Sequence, residues 1–247
     1  MFNIEVWSDV VCPFCYIGKR HLEAALADFP HREQVAVVWR SFELDSETPK
    51  GETQDTVSAL MQKYQQSREQ IQTMMARVMA MGGQVGLDLK LDKTHRTNTF
   101  DLHRLLYLAA QHGLQGAAKE RLLYAYFTEL EQLGEVETLV RLLSEVGLDP
   151  EAVRATLADP DIYFHEVSAD LFEARNIGVS GVPFFVFDQK YAVSGAQPIS
   201  VFKQVLQRSW DERGQERQPP PEQAAEAASE GVQTESDPRC QDESCEI

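Results

Sequence analysis

Cysteine is absent from residues 16–239; the four cysteines sit at the two ends as Cys12, Cys15, Cys240 and Cys245. A secreted scaffold held by disulfides spreads its cysteines to close long loops, so this pattern argues against one. A chain of 247 residues is long enough to bury a core without such staples. Positive charge is scarce: 23 Lys and Arg stand against 39 Asp and Glu, leaving −16. Nucleic acid and anionic membranes are dense in negative charge, so neither is an expected partner. No run of about 18 apolar residues occurs, so no membrane span is expected. The opening Met1-Phe2-Asn3-Ile4-Glu5 lacks the basic and apolar regions of a secretion signal. The cytoplasm is therefore the expected compartment.

Large apolar side chains are nearly missing from residues 211–247, where only Val232 and Ile247 qualify. This stretch holds 11 acidic and 3 basic residues, and so half of the net charge. Such a composition buries too little surface to offset chain entropy. It reads as a flexible acidic tail with a Cys-x4-Cys pair at its tip.

The rest of the chain is patterned. Residues 3–7 alternate apolar side chains and read as a strand. Residues 12–28 read as a helix and 35–44 as a second strand, giving a β-α-β opening. A long helical stretch follows. Its first amphipathic helix is expected over 53–81, with Val57, Leu60, Met61, Tyr64, Ile71, Met74, Met75 and Val78 on one stripe and Gly82-Gly83 as its stop. Further helices are expected over 97–113 and 117–133 and around Val136–Val146. Asp149-Pro150 and Asp159-Pro160 each place a capping acid before a proline, the signature of a helix start. Residues 183–187 and 191–193 read as a hairpin, and Ile199, Phe202, Val205 and Leu206 as a closing helix. The expected architecture is an α/β sheet domain from 1–50 and 178–210, an all-helical insertion over 51–177, and the tail over 211–247.

The chemistry centres on Cys12-Pro13-Phe14-Cys15, which follows a strand and opens a helix. The unpaired N–H groups of a first helical turn stabilise a thiolate at Cys12. Pro13 fits that turn because its missing N–H is not needed there. The two-residue spacing lets Cys12 attack a disulfide and Cys15 resolve the mixed disulfide. Phe14 brings no positive charge, so a dithiol less oxidising than a histidine-containing one is expected. A structural or metal-binding pair is the competing reading. It is disfavoured because zinc needs about four ligands and His21 is the one histidine nearby.

A second element is Gly178-Val-Ser-Gly-Val182-Pro183, where a proline enters a strand after two glycines. This suits a turn that can hold a cis bond. Val182 and Pro183, with Pro13 and Phe14, are the candidate substrate-binding residues. Five of six methionines (Met61, Met74, Met75, Met79, Met81) fall on one expected helix; they read as core first and as an adaptable binding surface second. Phe14, Tyr16, Phe184 and Phe185 are candidates for an apolar rim, although Phe185 and Phe187 fit a sheet core better. His103, on an apolar helix face, reads as a satisfied core histidine ahead of a catalytic base.

The chain resembles the DsbA-like thioredoxin family, in its FrnE-like branch of cytoplasmic dithiol oxidoreductases. The residues that carry this are Asp9-Val-Val-Cys-Pro-Phe-Cys-Tyr16, Asn98-Thr99 with His103-Arg104, Ala125-Tyr126-Phe127, Gly178-Val-Ser-Gly-Val-Pro183 and Val193-Ser-Gly-Ala-Gln-Pro198. The resemblance implies a thioredoxin fold with a helical insertion, a cis-Pro183, and Cys12 as attacking thiol. Related glutathione transferases and 2-hydroxychromene-2-carboxylate isomerases carry serine at the Cys12 position, so two cysteines favour disulfide exchange.

The expected function is thus thiol–disulfide oxidation, reduction or isomerisation on protein or peptide substrates, with no cofactor and no metal. Glutathione or a thioredoxin-type reductant is the expected redox partner. A glutathione-dependent transferase or isomerase on a small molecule, and a redox-sensing chaperone-like module, are the alternatives. Cys240 and Cys245 lie among Asp242, Glu243 and Glu246, which disfavour a thiolate. A tethered second dithiol exchanging with Cys12–Cys15, an incidental disulfide and a metal site are the three readings of that pair.

Overall fold

The computed structural model describes residues 1–52 and 54–216. Cys240 and Cys245 lie outside the described residues. A four-stranded sheet has the order β2-β1-β3-β4, formed by β1 (Phe2–Ser8), β2 (Val35–Ser41), β3 (Phe184–Phe187) and β4 (Tyr191–Ser194). β1 pairs parallel with β2 and antiparallel with β3. The crossover between β1 and β2 is α1 (Pro13–Ala27), as the β-α-β pattern predicts. β3 and β4 form the expected hairpin, with Asp188 and Gln189 at positive φ in its turn.

Strand alternation sorts the central sheet into two faces. Val6 pairs with Phe185 and Ile4 with Phe187, on the face covered by α1 and α9 (Ile199–Glu216). There the ring of Phe202 packs 4.8 Å from Phe185. On the other face Trp7 packs with Ala174 and Val179, and Trp7 Nε1 donates to the Asp170 carbonyl at 3.2 Å. Asp170 lies on α8 (Phe164–Asn176).

Between β2 and β3 the chain is helical, through α2 (Thr56–Tyr64), α3 (Arg68–Gln84), α4 (Phe100–Gln111), α5 (Gln115–Tyr124), α6 (Val136–Glu145), α7 (Pro150–Ala158) and α8. Several expected boundaries move, each for a local reason. The single helix expected over 53–81 is two. Gln65 takes a left-handed φ of 54° after α2, and Ser67 caps α3 in a reciprocal pair with Gln70. Gly82-Gly83 does not stop α3. The helix runs through them because Gly82 is packed under Leu89, and it ends before Gly86 at φ +77°.

The helix expected over 117–133 becomes α5 and a π-helical turn at Ala125–Glu129. Lys90 takes the Phe127 and Thr128 carbonyls, and Glu131 N–H bonds back to Ala125. Asp159-Pro160 does not start a helix, since buried Arg104 donates to the Thr156, Asp159 and Ile162 carbonyls; α8 begins at Phe164. β2 ends at Ser41, three residues short of the expectation. At its end the Ser41 amide bonds to the Asp170 carboxylate, and beyond it the Leu44 amide bonds to the Asp9 carboxylate instead of to a strand. Finally, α9 continues to Glu216, six residues into the expected tail. A helix once nucleated extends at one hydrogen bond per residue without needing burial.

Candidate active site

The end of β1 delivers Asp9 and, three residues on, Cys12 to the start of α1. Cys12 is the N-cap residue and Pro13 the first helical residue, as expected; the Cys15 amide bonds to the Cys12 carbonyl at 3.1 Å. Both thiols are free, with residue exposures of 3% for Cys12 and 1% for Cys15, while Phe14 is 38% exposed. The Cys12 side chain does not cap the helix. Its thiol donates instead to the Val182 carbonyl at 3.4 Å. The Val182–Pro183 peptide is cis. Four of the sequence-derived residues, Cys12, Pro13, Phe14 and Val182, line one cleft, and Pro183 backs onto Gly18 of α1. Phe185 and Phe187 lie in the sheet core, and Tyr16 is buried against Phe127.

Beneath the dithiol is a group of buried ionisable side chains. Asp9 is fully buried; its Oδ1 accepts from Val10 N at 2.7 Å and its Oδ2 from Leu44 N at 2.8 Å. His103 Nε2 lies 3.5 Å from Asp9 Oδ1 and has no hydrogen-bond partner among the described residues. His103 is thus the buried core histidine that its apolar helix face predicts, with Nε2 facing the Asp9 carboxylate at ion-pair distance. Burial alone would raise the Asp9 carboxyl, but the His103 ring, the Leu44 amide and the Lys119 charge outweigh it and hold it below 3.8. Half-buried Glu43 is pushed up by burial, with His103 opposing and Asp9 adding to the rise.

Lys119, on α5, is fully buried, and its Nζ donates to the Ser8 carbonyl at 3.4 Å and sits 5.8 Å above the Trp39 ring. Burial lowers its ammonium below 10.5, against the pull of Cys15, Asp9 and Cys12. Burial also pushes the Cys15 thiol well above 9.0, as do its hydrogen bond to Cys12 and the Cys12 charge. Lys119 and the Asp9 backbone draw it down. The arrangement thus keeps the inner thiol protonated until something removes its proton, with a cation close by to receive a thiolate.

The sequence pattern missed Lys119, although a signal was present. Lys119, Leu122, Leu123 and Tyr126 stand at i, i+3, i+4 and i+7, which puts the lysine on the buried stripe. Asp9 was visible within a motif only, and Glu43 not at all. Among the described residues no group of three His, Cys, Asp or Glu is placed to hold a metal ion, and no helix is long and apolar enough to cross a membrane.

The model of a DSBA-like thioredoxin domain matches residues 3–207. The chain belongs to the DSBA-like thioredoxin family. A probable DsbA oxidoreductase from Streptomyces coelicolor is similar at 44% identity and a TM-score of 0.83, over 89% of this chain and 93% of its own. The cytosolic disulfide reductase DsbM of Pseudomonas aeruginosa, solved with GSH, shares the fold at 17% identity and a TM-score of 0.60, over 85% of this chain and 99% of its own. The uncharacterised protein YwbO of Bacillus subtilis (strain 168) is 24% identical over 206 residues, 83% of this chain and 95% of that protein. In a DSBA-like oxidoreductase fold, the Cys12–Cys15 pair stands where β1 hands over to α1, opposite the cis-proline loop.

Proposed function

We propose that the protein catalyses thiol–disulfide exchange on protein or peptide substrates through Cys12 and Cys15. The observation that carries this is the Cys12 thiol on the wall of an open cleft, 3.4 Å from the Val182 carbonyl, with Cys15 enclosed behind it. The Cys12 thiolate attacks one sulfur of a substrate disulfide, forming a mixed disulfide and releasing the other sulfur as a thiolate that takes up a proton. Cys15 then loses its proton and attacks Cys12 Sγ, which frees the second substrate thiolate. The substrate gains two electrons and the dithiol becomes a disulfide; the reverse sequence oxidises a substrate dithiol. A second thiol–disulfide couple, glutathione or a thioredoxin-type protein, resets the pair. The cytosolic DsbM relative supports placing this chemistry in the cytoplasm.

The test is a pair of single substitutions assayed on a peptide disulfide. Cys12→Ser is expected to abolish turnover. Cys15→Ser is expected to accumulate a mixed disulfide at Cys12, detectable by mass. Turnover that persists in Cys12→Ser would overturn the assignment and leave a non-enzymatic binding module. The cleft itself supports a second reading, a glutathione-dependent reaction on a small molecule, which requires saturable glutathione binding by the Cys15→Ser protein.

A further inference from the structure

His103 lies on the buried face of α4 among Leu102, Leu105 and Leu106, and is itself 1% exposed. For packing alone a leucine would serve there, since burying a ring nitrogen without a hydrogen bond is unfavourable. The His103 Nε2 has no such bond among the described residues and stands 3.5 Å from Asp9 Oδ1. That is a charge contact, strongest when the imidazole is protonated.

The ionisable groups around it come from four parts of the fold. Asp9, in the β1–α1 turn, and Glu43, in the segment after β2, are both acids, and the His103 ring pulls the carboxyl of each downward. Behind Asp9 stand Lys119 of α5, whose charge supports the carboxylate, and Tyr126 of the π-helical turn, whose hydroxyl donates to the His95 carbonyl at 2.7 Å. Two acids thus share one lysine and one histidine. With both acids ionised and Lys119 protonated, a neutral His103 leaves this group negative, and an imidazolium cancels the excess.

Asp9 carries that balance to the dithiol. Its carboxylate faces His103, while its main chain hydrogen-bonds Cys15 and lowers that thiol, as does the Lys119 charge that Asp9 supports. The Cys15 thiolate, the species that resolves the mixed disulfide, adds a negative charge to this enclosed group. In a low-dielectric interior the acids oppose that charge and an imidazolium favours it.

We propose that His103 is a positioning residue for the resolving step, acting through Asp9: it gains a proton as Cys15 loses one, and so holds the charge of the buried group constant while the thiolate exists. The proposal rests on the exchange reading above and assigns control of its second half-reaction. When Cys15 attacks Cys12 Sγ, the Cys12–Cys15 bond forms and the bond to the substrate sulfur breaks. The proton held by His103 then balances the one taken up by the departing substrate thiolate, and the imidazole returns to neutral.

The test follows the resolving step itself, in the full chain carrying Cys240→Ser and Cys245→Ser so that only the Cys12–Cys15 pair reports. The reduced protein is mixed with an excess of a chromogenic aryl disulfide. Attack by Cys12 gives a phase that scales with reagent concentration, and attack by Cys15 a second phase that does not. With no titrating neighbour, the second rate follows the Cys15 thiolate and falls about tenfold per pH unit. Histidine changes charge between about pH 5 and 8, and the imidazolium offsets part of that fall. His103→Gln is therefore expected to match the parent within about twofold at pH 8 and to resolve about tenfold more slowly at pH 5, an ordinary coupling between two sites. Equal rates at both pH values, or a defect of the same size at both, would overturn the proposal, the second by leaving a merely structural histidine. Glu43→Gln, at a half-buried position, removes an acid that supports the imidazolium and is expected to move the break in the profile to lower pH; an unchanged break would also overturn it. Absence of the first phase, or its persistence in Cys12→Ser, would instead remove the exchange reading itself.

Discussion

Gly18 of α1 lies directly against Pro183: a Cβ built on it would stand 2.9 Å from Pro183 Cγ and 3.1 Å from Phe185 Cζ. Neither neighbour yields easily, since one is a ring fixed in the backbone and the other is fully buried under Phe202. The missing side chain lets the helix carrying Cys12 and Cys15 approach the loop carrying Val182. Alanine in a helix interior gains up to about 1 kcal/mol over glycine, but overpacking of this kind costs about 1–3 kcal/mol. Gly18→Ala is expected to lose about 1 kcal/mol or more in denaturant unfolding. It should also slow peptide-disulfide exchange several-fold, because any relief moves Val182 away from Cys12.

Asp170 ties the helical region to the sheet. It is 1% exposed and accepts from Arg40 at 3.0 Å, from Ser41 N at 2.7 Å and from Tyr107 OH at 2.6 Å. Asp170→Ala leaves an amide and a hydroxyl without an acceptor and Arg40 with Glu5 alone. Losing one member of a buried pair costs about 3–5 kcal/mol. Arg40 is partly exposed and keeps Glu5, so the lower end, about 3 kcal/mol, is expected in an unfolding titration. Exchange activity per folded molecule should be retained, since none of these groups lines the cleft. A loss of activity without a loss of stability would refute this structural role.

The sheet, its hairpin and the dithiol were legible because each depends on local chemistry: alternation, a polar turn, and a CxxC between strand and helix. The helix breaks were not. The split at Gln65–Ser67 is set by a capping pair weaker in sequence than the apolar stripe running across it, and the late start of α8 is imposed by Arg104 from α4. The site divides in the same way. Cys12, Pro13, Phe14, Val182 and Pro183 announce themselves by motif. Asp9 sits in that same motif, whereas Lys119 meets the dithiol only because α5 and the β1–α1 turn come together in space, a long-range fact that no spacing encodes. The tail pair is a motif without a structural setting, and Cys240 and Cys245 lie outside the described residues.

Lys119 makes a prediction in which stability and activity move apart. Burial disfavours the Lys119 ammonium, while its charge supports the buried Asp9 carboxylate. Lys119→Met removes both effects at similar volume, so its unfolding midpoint near neutral pH is expected to lie close to the parent's. Without the ammonium, the Cys15 thiol rises further, fewer molecules can resolve, and the mixed disulfide at Cys12 should persist about tenfold longer in a single-turnover trap.

The alkaline limb checks the buried charge itself. A thiol raised in the folded state lends stability below 9.0, its unfolded value, that is lost as pH climbs above it. An amine lowered in the folded state does the reverse, so stability rises with pH up to 10.5 as the unfolded chain gives up its extra proton. In the reduced parent protein the two slopes oppose each other between 9.0 and 10.5. In Lys119→Met only the thiol slope remains, so unfolding midpoints of the reduced variant should fall more steeply with pH across that window. Parallel curves for parent and variant would show that Lys119 does not titrate below its unfolded value in the folded protein.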